Sequence, residues 1–226
     1  MRLFILMILS FALLKVCAQD RRRMVWEGGV AVDYTIIKNI SFNTSLAQRS
    51  SFLEDAEGNF TELSFLEFNH FFTKKVNPAL KLSLGYKFRT VEPVEDFEFF
   101  EHRLTQQAAL THFERRFRLV SRLRLEQRIR SSTFAHRYRY RLSTDFPLSG
   151  EKIDAQEFFL VLSSELLLEI VEEESNTLEN RLSGSLGYAI SEKIKADLNF
   201  TCRIEDINLD VVVVLFVTTG LNIKLN

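Results

Sequence analysis

Hydrophobic and polar residues alternate with period two along most of this chain, the mark of extended strands whose two faces meet different surroundings. In "ALKLSLGYKFR", Leu80, Leu82, Leu84, Tyr86 and Phe88 take one face, and Lys81, Ser83, Gly85, Lys87 and Arg89 take the other. "MVWEGGVAVDYTI" sets Trp26, Val30, Val32, Tyr34 and Ile36 against Glu27, Asp33 and Thr35. "ENRLSGSLGYAI" sets Leu182, Leu186, Tyr188 and Ile190 against Arg181, Ser183 and Ser185. "KIKADLNFTCRI" sets Ile194, Leu198, Phe200 and Ile204 against Lys195, Asp197, Asn199 and Arg203. No stretch beyond residue 19 keeps helical spacing over three turns, so the chain reads as all-β. Eleven candidate strands can be counted, roughly 24–36, 40–50, 61–73, 79–90, 99–112, 115–131, 134–146, 156–171, 178–190, 193–205 and 209–225.

Several of these run to ten residues or more, longer than the five or six of most soluble strands and long enough to cross a membrane at a tilt. Their connections fall into two kinds. Lys38–Asn39, Lys74–Asn77, His112–Arg115 and Ser191–Glu192 read as tight turns; "SSFLEDAEGN", "TVEPVEDFEF" and "EEESNTLE" read as longer, acidic loops. Tight turns at one rim and long polar loops at the other are the pattern of an outer-membrane barrel. The expected fold is an antiparallel up-and-down transmembrane β-barrel of about 10–12 strands. Single-chain bacterial barrels use even counts, so either ten or twelve is expected, the latter if 209–226 splits at Thr218–Gly220. "VVVVLFV" (Val211–Val217) suits such a wall and would aggregate in water.

The charge pattern sharpens this reading. Arg116, Arg118, Arg122, Arg124, Glu126, Arg128 and Arg130 occupy even positions, while Phe117, Leu119, Leu123, Leu125 and Ile129 occupy the odd ones. In "AHRYRYRL", Arg137, Arg139 and Arg141 oppose Tyr138, Tyr140 and Leu142. A charged group facing lipid near the midplane costs about 2–4 kcal/mol, so the arginine row must face the lumen and the apolar row the acyl chains. Tyr138, Tyr140 and Phe146 are candidates for an interfacial aromatic belt. Counter-charges come from Glu101, from Glu126, and from Glu165 and Glu169 on "FFLVLSSELLLEI". The planar guanidinium fork can bind a carboxylate through two hydrogen bonds and never loses its charge. Two readings of this row stay open: a ladder that fills and stiffens the barrel, and an electropositive path or pocket for anionic solutes or lipid headgroups.

Termini and composition place the chain. "MRLFILMILSFALLKVCAQ" has a basic start and an apolar run of about a dozen residues, the length of a signal-peptide core and too short for a span of about twenty. Residues 1–19 read as a cleaved signal and 20–226 as one barrel domain; a lipid attachment at Cys17 is the lesser alternative, because Lys15 and Val16 suit its motif poorly. The full chain has 29 Lys and Arg against 30 Asp and Glu; removing residues 1–19 takes away Arg2 and Lys15 and no acid, which leaves 27 against 30 and a net charge of −3. So near-neutral a balance argues against a nucleic-acid binder. Only Cys202 remains after cleavage, so no internal disulfide forms.

The stretches "EHRLTQQ" (Glu101–Gln107), "RLRLEQRIR" (Arg122–Arg130), "HRYRYRL" (His136–Leu142), "LSSE" (Leu162–Glu165) and "LGY" (Leu186–Tyr188) follow one another in order. Together they resemble the bacterial barrel family catalogued as domain of unknown function 2490. The resemblance spans nearly the whole chain beyond the signal. It implies an outer-membrane barrel of unknown biochemical role and carries over no catalytic residues.

Other chemistry is weaker. His70, His102, His112 and His136 show no metal-ligand spacing, and Cys202 shares the apolar face of Phe200 and Ile204. Ser121 and His136 could be offered as a hydrolase pair, but no nucleophile motif surrounds either. In "RYRYR" the rings and the charges point to opposite faces, so bases cannot stack beside the arginines. The N-x-S/T matches at Asn39, Asn43, Asn59 and Asn199 are what a strand-rich composition yields by chance. The expectation is therefore a monomeric, non-enzymatic barrel of the bacterial outer membrane. It needs no cofactor or metal, its surroundings are outer-membrane lipid, and its partner is the outer-membrane assembly machinery. The alternative is a secreted soluble β-barrel or sandwich that binds a ligand inside. That alternative requires the Leu and Phe rows to be buried and the arginine rows to face water.

Overall fold

The computed structural model describes residues 22–52, 62–91, 100–130, 133–172, 175–209 and 211–225. The signal segment 1–19, the alternative at Cys17 and most of the three long acidic loops lie outside the described residues. The alternating segments form strands β1 (Arg22–Ile37), β2 (Ile40–Phe52), β3 (Glu62–Lys75), β4 (Leu80–Val91), β5 (Phe100–Phe113) and β6 (Arg118–Arg130). They continue as β7 (Phe134–Pro147), β8 (Glu157–Val171), β9 (Thr177–Ala189), β10 (Ile194–Glu205) and β11 (Val212–Lys224). Every strand pairs antiparallel with its successor, and β1 closes the barrel on β11.

That closure corrects the expectation of ten or twelve strands in a wholly antiparallel ladder. β11 runs unbroken through Thr218–Gly220, so the described strands number eleven. An odd count leaves the first and last strands running the same way, and β1 pairs β11 in parallel, from Arg22 beside Val213 to Asp33 beside Lys224. A parallel ladder satisfies the same backbone donors and acceptors with slanted bonds. The start of β1 and the end of β11 consequently lie at opposite rims.

The short connections after β1, β3, β5 and β9 share one rim, as their lengths imply. Asn77 side-chain oxygen accepts from the Leu80 backbone N–H at 2.8 Å, and Ser191 Oγ from that of Ile194 at 3.1 Å, each tightening its turn. The nine residues 148–156 stand at this same rim, longer than its other turns. At the opposite rim stand the strand ends that flank 53–61, 92–99, 131–133, 172–176 and 206–211.

The period-two alternation divides the wall as the sequence pattern implies. Leu84, Leu123, Leu46 and Phe200 are each more than half exposed on the outside, whereas Glu126 and Arg103 are 2% exposed on the inside. This is the reverse of a soluble barrel, whose apolar rows would be buried. Aromatic clusters sit toward both ends of the outer wall: Tyr34, Phe42 and Phe72 near the tight-turn rim, and Phe88, Phe100 and His102 near the other. Phe146 falls near the end of β7, and Tyr138 and Tyr140 stand further along it, exposed on the outer wall. A few aromatics turn inward. The ring of Phe71 lies over Gly85 and that of Phe159 over Gly187, where a Cβ would meet each ring at 2.3 and 2.1 Å.

Candidate functional site

The lumen wall from β5 to β8 juxtaposes like charges. Register sets Arg124 opposite Arg139, Arg122 opposite Arg141 and Arg103 opposite Arg128. Like charges directly across a ladder repel, and the guanidiniums turn instead to carboxylates on the diagonal. Glu126 receives Arg139 Nη1 at 2.9 Å, Arg103 Nη1 at 3.3 Å and Arg124 Nη1 at 3.5 Å. Glu101 receives Arg128 Nη2 at 2.5 Å and Arg130 Nε at 3.1 Å, and pairs also with Arg103. Glu169 receives Arg128 Nη1 at 2.6 Å and Arg130 Nη2 at 3.1 Å, and pairs with Arg137. Glu165 receives Arg139 Nη2 at 2.6 Å, Arg122 Nη2 at 3.4 Å and Arg181 Nη1 at 3.8 Å. Four carboxylates are thus shared among eight guanidiniums.

Most residues that the alternation marks as lumen-facing join this network, and three do not. Arg116 lies in the turn between β5 and β6, exposed at the rim, where Nη2 donates to the Gly150 carbonyl at 3.2 Å. The alternation ran one step too far: Glu114 N–H donates to the Phe117 carbonyl at 3.0 Å, so the chain turns there and β6 begins only at Arg118. Arg118 faces inward at the mouth and pairs with Asp145 at 2.9 Å, away from the four glutamates. Arg141 points inward and donates to Ser163 Oγ at 2.9 Å.

The same parity on the other strands builds a second charged group. Glu67 accepts from Lys87 Nζ and Arg89 Nη2, both at 2.5 Å. Arg49 pairs with Glu27, and Arg181 Nε donates to Glu179 at 2.5 Å. Arg203 is the least satisfied. Its guanidinium lies 3.6 Å from the Phe216 ring centroid and 3.9–4.0 Å from Glu179, Glu205 and Glu27, and its buried Nε has no hydrogen-bond partner. Glu27, Lys87, Arg89, Arg181 and Arg203 all sit on polar faces already visible as alternation; what the local pattern lacks is their convergence across the lumen.

Among the described residues, two cavities open into the interior. One, of about 580 Å³, is lined by Arg118, Asp145, Lys195, Asp197 and Asn222 toward the tight-turn rim. The other, of about 400 Å³, is lined by Glu67, Lys87, Arg89, Arg128 and Arg137 toward the opposite rim. Glu27, Arg139, Arg181 and Arg203 line both and form the waist between them.

Outside the lumen little chemistry converges. Ser121 opposes Leu142 and His136 opposes Gln127, six residues further along the same ladder, so the two side chains are about 20 Å apart. Ser121 Oγ stands 3.4 Å from Tyr140 Oη instead. His70 pairs with Thr44 and His102 with Tyr86 on the outer wall, and Cys202 is half-buried on its apolar face. Among the described residues no three His, Cys, Asp or Glu side chains gather as a metal site.

The sequence model of the family described as "Protein of unknown function (DUF2490)" matches residues 26–206. No curated protein matches the sequence. Among solved structures, the siderophore receptor PirA from Pseudomonas aeruginosa is similar at 10% identity and a TM-score of 0.34, over 80% of this chain and 34% of that one. The chain spans about a third of the receptor's length.

Proposed function

The chain belongs to the family described as protein of unknown function (DUF2490), matched from Trp26 in β1 to Asp206 beyond β10, and from that premise we propose that it is an outer-membrane barrel whose lumen takes up small anionic solutes. The outer wall supports the membrane half of this reading. Leucines such as Leu104, Leu125, Leu166 and Leu186 stand exposed on an outer wall that carries aromatic clusters toward both ends, in keeping with the band-and-girdle pattern of a lipid-facing barrel. Export by the segment 1–19 and insertion by the outer-membrane assembly machinery follow from the same reading.

One observation carries the anionic half: the four carboxylates Glu101, Glu126, Glu165 and Glu169 answer eight guanidiniums. Arg203 adds a further cation at the waist with an unbonded Nε. A narrow, low-dielectric lumen focuses the field of such an excess and raises the local concentration of anions. A merely structural ladder would be served better by nearer parity, because each unneutralised buried charge opposes folding.

Planar-bilayer recording tests the reading. Reversal potentials in a salt gradient should show anion preference, and Arg139→Gln with Arg181→Gln should weaken it while the protein still shows the heat-modifiable band of a folded barrel. Cation preference would overturn the proposal, as would absence of both current and anion binding in folded protein.

A further inference from the structure

The wider cavity has a different chemistry from the charged rows above it. Register aligns Ser143, Ser163, Ser183 and Thr201 with Phe216 across β7, β8, β9, β10 and β11. One step toward the waist the same strands present Arg141, Glu165, Arg181 and Arg203. One step toward the tight-turn rim they present Asp145, Val161, Ser185, Asn199 and Thr218. A ligand in this chamber would meet guanidiniums beside Glu165 at its inner end, hydroxyl and amide groups along its sides, and Asp145 and Asp197 nearer the mouth.

These side chains are already oriented. Ser183 Oγ and Thr201 Oγ1 are 2.8 Å apart, and Asn199 Nδ2 donates to Thr201 Oγ1 at 2.9 Å. Asn222 Nδ2 donates to Asp197 at 3.0 Å, which fixes a carboxylate near the mouth. Two inward rings, Phe159 and Phe216, line the chamber, with Phe216 covered by the Arg203 guanidinium and Phe159 set among the polar groups. Phe159 is held in the lumen because Gly187 beneath it has no side chain. Hydroxyls, amides and a carboxylate around aromatic rings match a molecule with many hydroxyl groups and apolar C–H faces. The volume of about 580 Å³ lies within the range of small-molecule sites.

Resting on the reading of an anion-accepting lumen, the geometry points to a monosaccharide that carries a phosphate or carboxylate group as the solute class. The anionic group sits at the waist against Arg181, Arg203 and Arg139, whose guanidiniums line this end of the chamber. The hydroxylated ring lies between the serine–threonine row and Phe159. An inorganic anion would use the waist alone.

Titration calorimetry on the folded full-length barrel in detergent separates these claims, with inorganic phosphate, glucose and glucose 6-phosphate as probes. Glucose 6-phosphate should bind roughly tenfold or more tightly than phosphate, since the sugar adds several hydrogen bonds and ring contact. Glucose alone should bind weakly. Thr201→Val with Asn199→Leu should bring glucose 6-phosphate down to the level of phosphate and leave phosphate unchanged. Should that pair fail to give the heat-modifiable band of a folded barrel, Phe159→Ala makes the same test from the aromatic side. Equal affinity for phosphate and glucose 6-phosphate would overturn this inference while leaving the anionic lumen standing. So would a preference that the folded variants do not reduce. Binding of neither anion would overturn both.

Discussion

Arg128 and Arg124 each stand two residues from Glu126, on either side of it, yet they do different work. Arg128 is buried and joins Glu101 to Glu169 through bonds of 2.5–2.7 Å. Arg124 donates chiefly to the neutral Gln107, at 2.6 and 3.0 Å, with its guanidinium 5.4 Å from the Phe71 ring centroid. Removing one partner from a buried, hydrogen-bonded charge cluster costs about 3–5 kcal/mol, and here Glu101 and Glu169 would each lose short bonds to the group that joins them. Arg128→Leu is therefore expected to destabilise the barrel by about that amount. Arg124→Leu should cost about 1–3 kcal/mol, the scale of a buried amide left without its donor. Urea-unfolding midpoints of the refolded variants in lipid check the ranking, which a larger loss at Arg124 would refute.

At the scale of the strand, parity decides which substitutions matter. Leu123 is 59% exposed at the middle of the outer wall, between the buried-side Arg122 and Arg124. Leu123→Arg should cost about 2–4 kcal/mol in a bilayer, the penalty of an arginine near the midplane. The same change measured in a water-soluble setting would be nearly silent, so folding yield into vesicles is the deciding readout. β8 and β9 offer a packing test in addition. A methyl at position 187 would meet the Phe159 ring within 2.1–2.6 Å. Gly187→Ala is expected to cost about 1–3 kcal/mol through this overpacking. Combined with Phe159→Ala the cost should largely vanish, and a double-variant comparison of unfolding midpoints shows whether it does.

For the whole molecule the parallel seam is the feature that most constrains topology. Val30 and Leu221 are register partners on β1 and β11, so their Cα atoms lie about 4.8 Å apart. A disulfide needs Cα atoms within about 4.4–6.8 Å of each other. In a Cys202→Ser background, Val30→Cys with Leu221→Cys should cross-link under mild oxidation, as a mobility shift lost on reduction. Val30→Cys with Val217→Cys, four residues out of parallel register, should not. Cross-linking of the second pair and not the first would mean that the barrel closes in another register.

Much of this protein was legible in its sequence because period-two alternation is a local property. Leu123 beside Arg122 and Arg124 is enough to assign both faces of β6, and the same rule orients Lys87, Arg181 and Arg203. Strand number followed from counting such segments, and the eleven alternating stretches are the eleven strands; the rule of even counts misled because it concerns closure, which no single stretch contains. Arg116 was misread for a related reason: alternation continues through Phe117, and only the backbone bond between Glu114 and Phe117 shows where the chain turns. Tertiary structure alone decided which guanidinium answers which carboxylate, since Arg128 reaching Glu169 or Arg203 approaching Glu27 depends on the arrangement of strands that do not follow one another in sequence. It also decided that β1 runs parallel to β11, that Phe71 and Phe159 close over glycines on neighbouring strands, and that the lumen narrows to a waist at Glu27, Arg139, Arg181 and Arg203. Each of these is a non-local contact. A side chain's face is set by its neighbours two residues away, but its partner is set by the closure of the whole sheet.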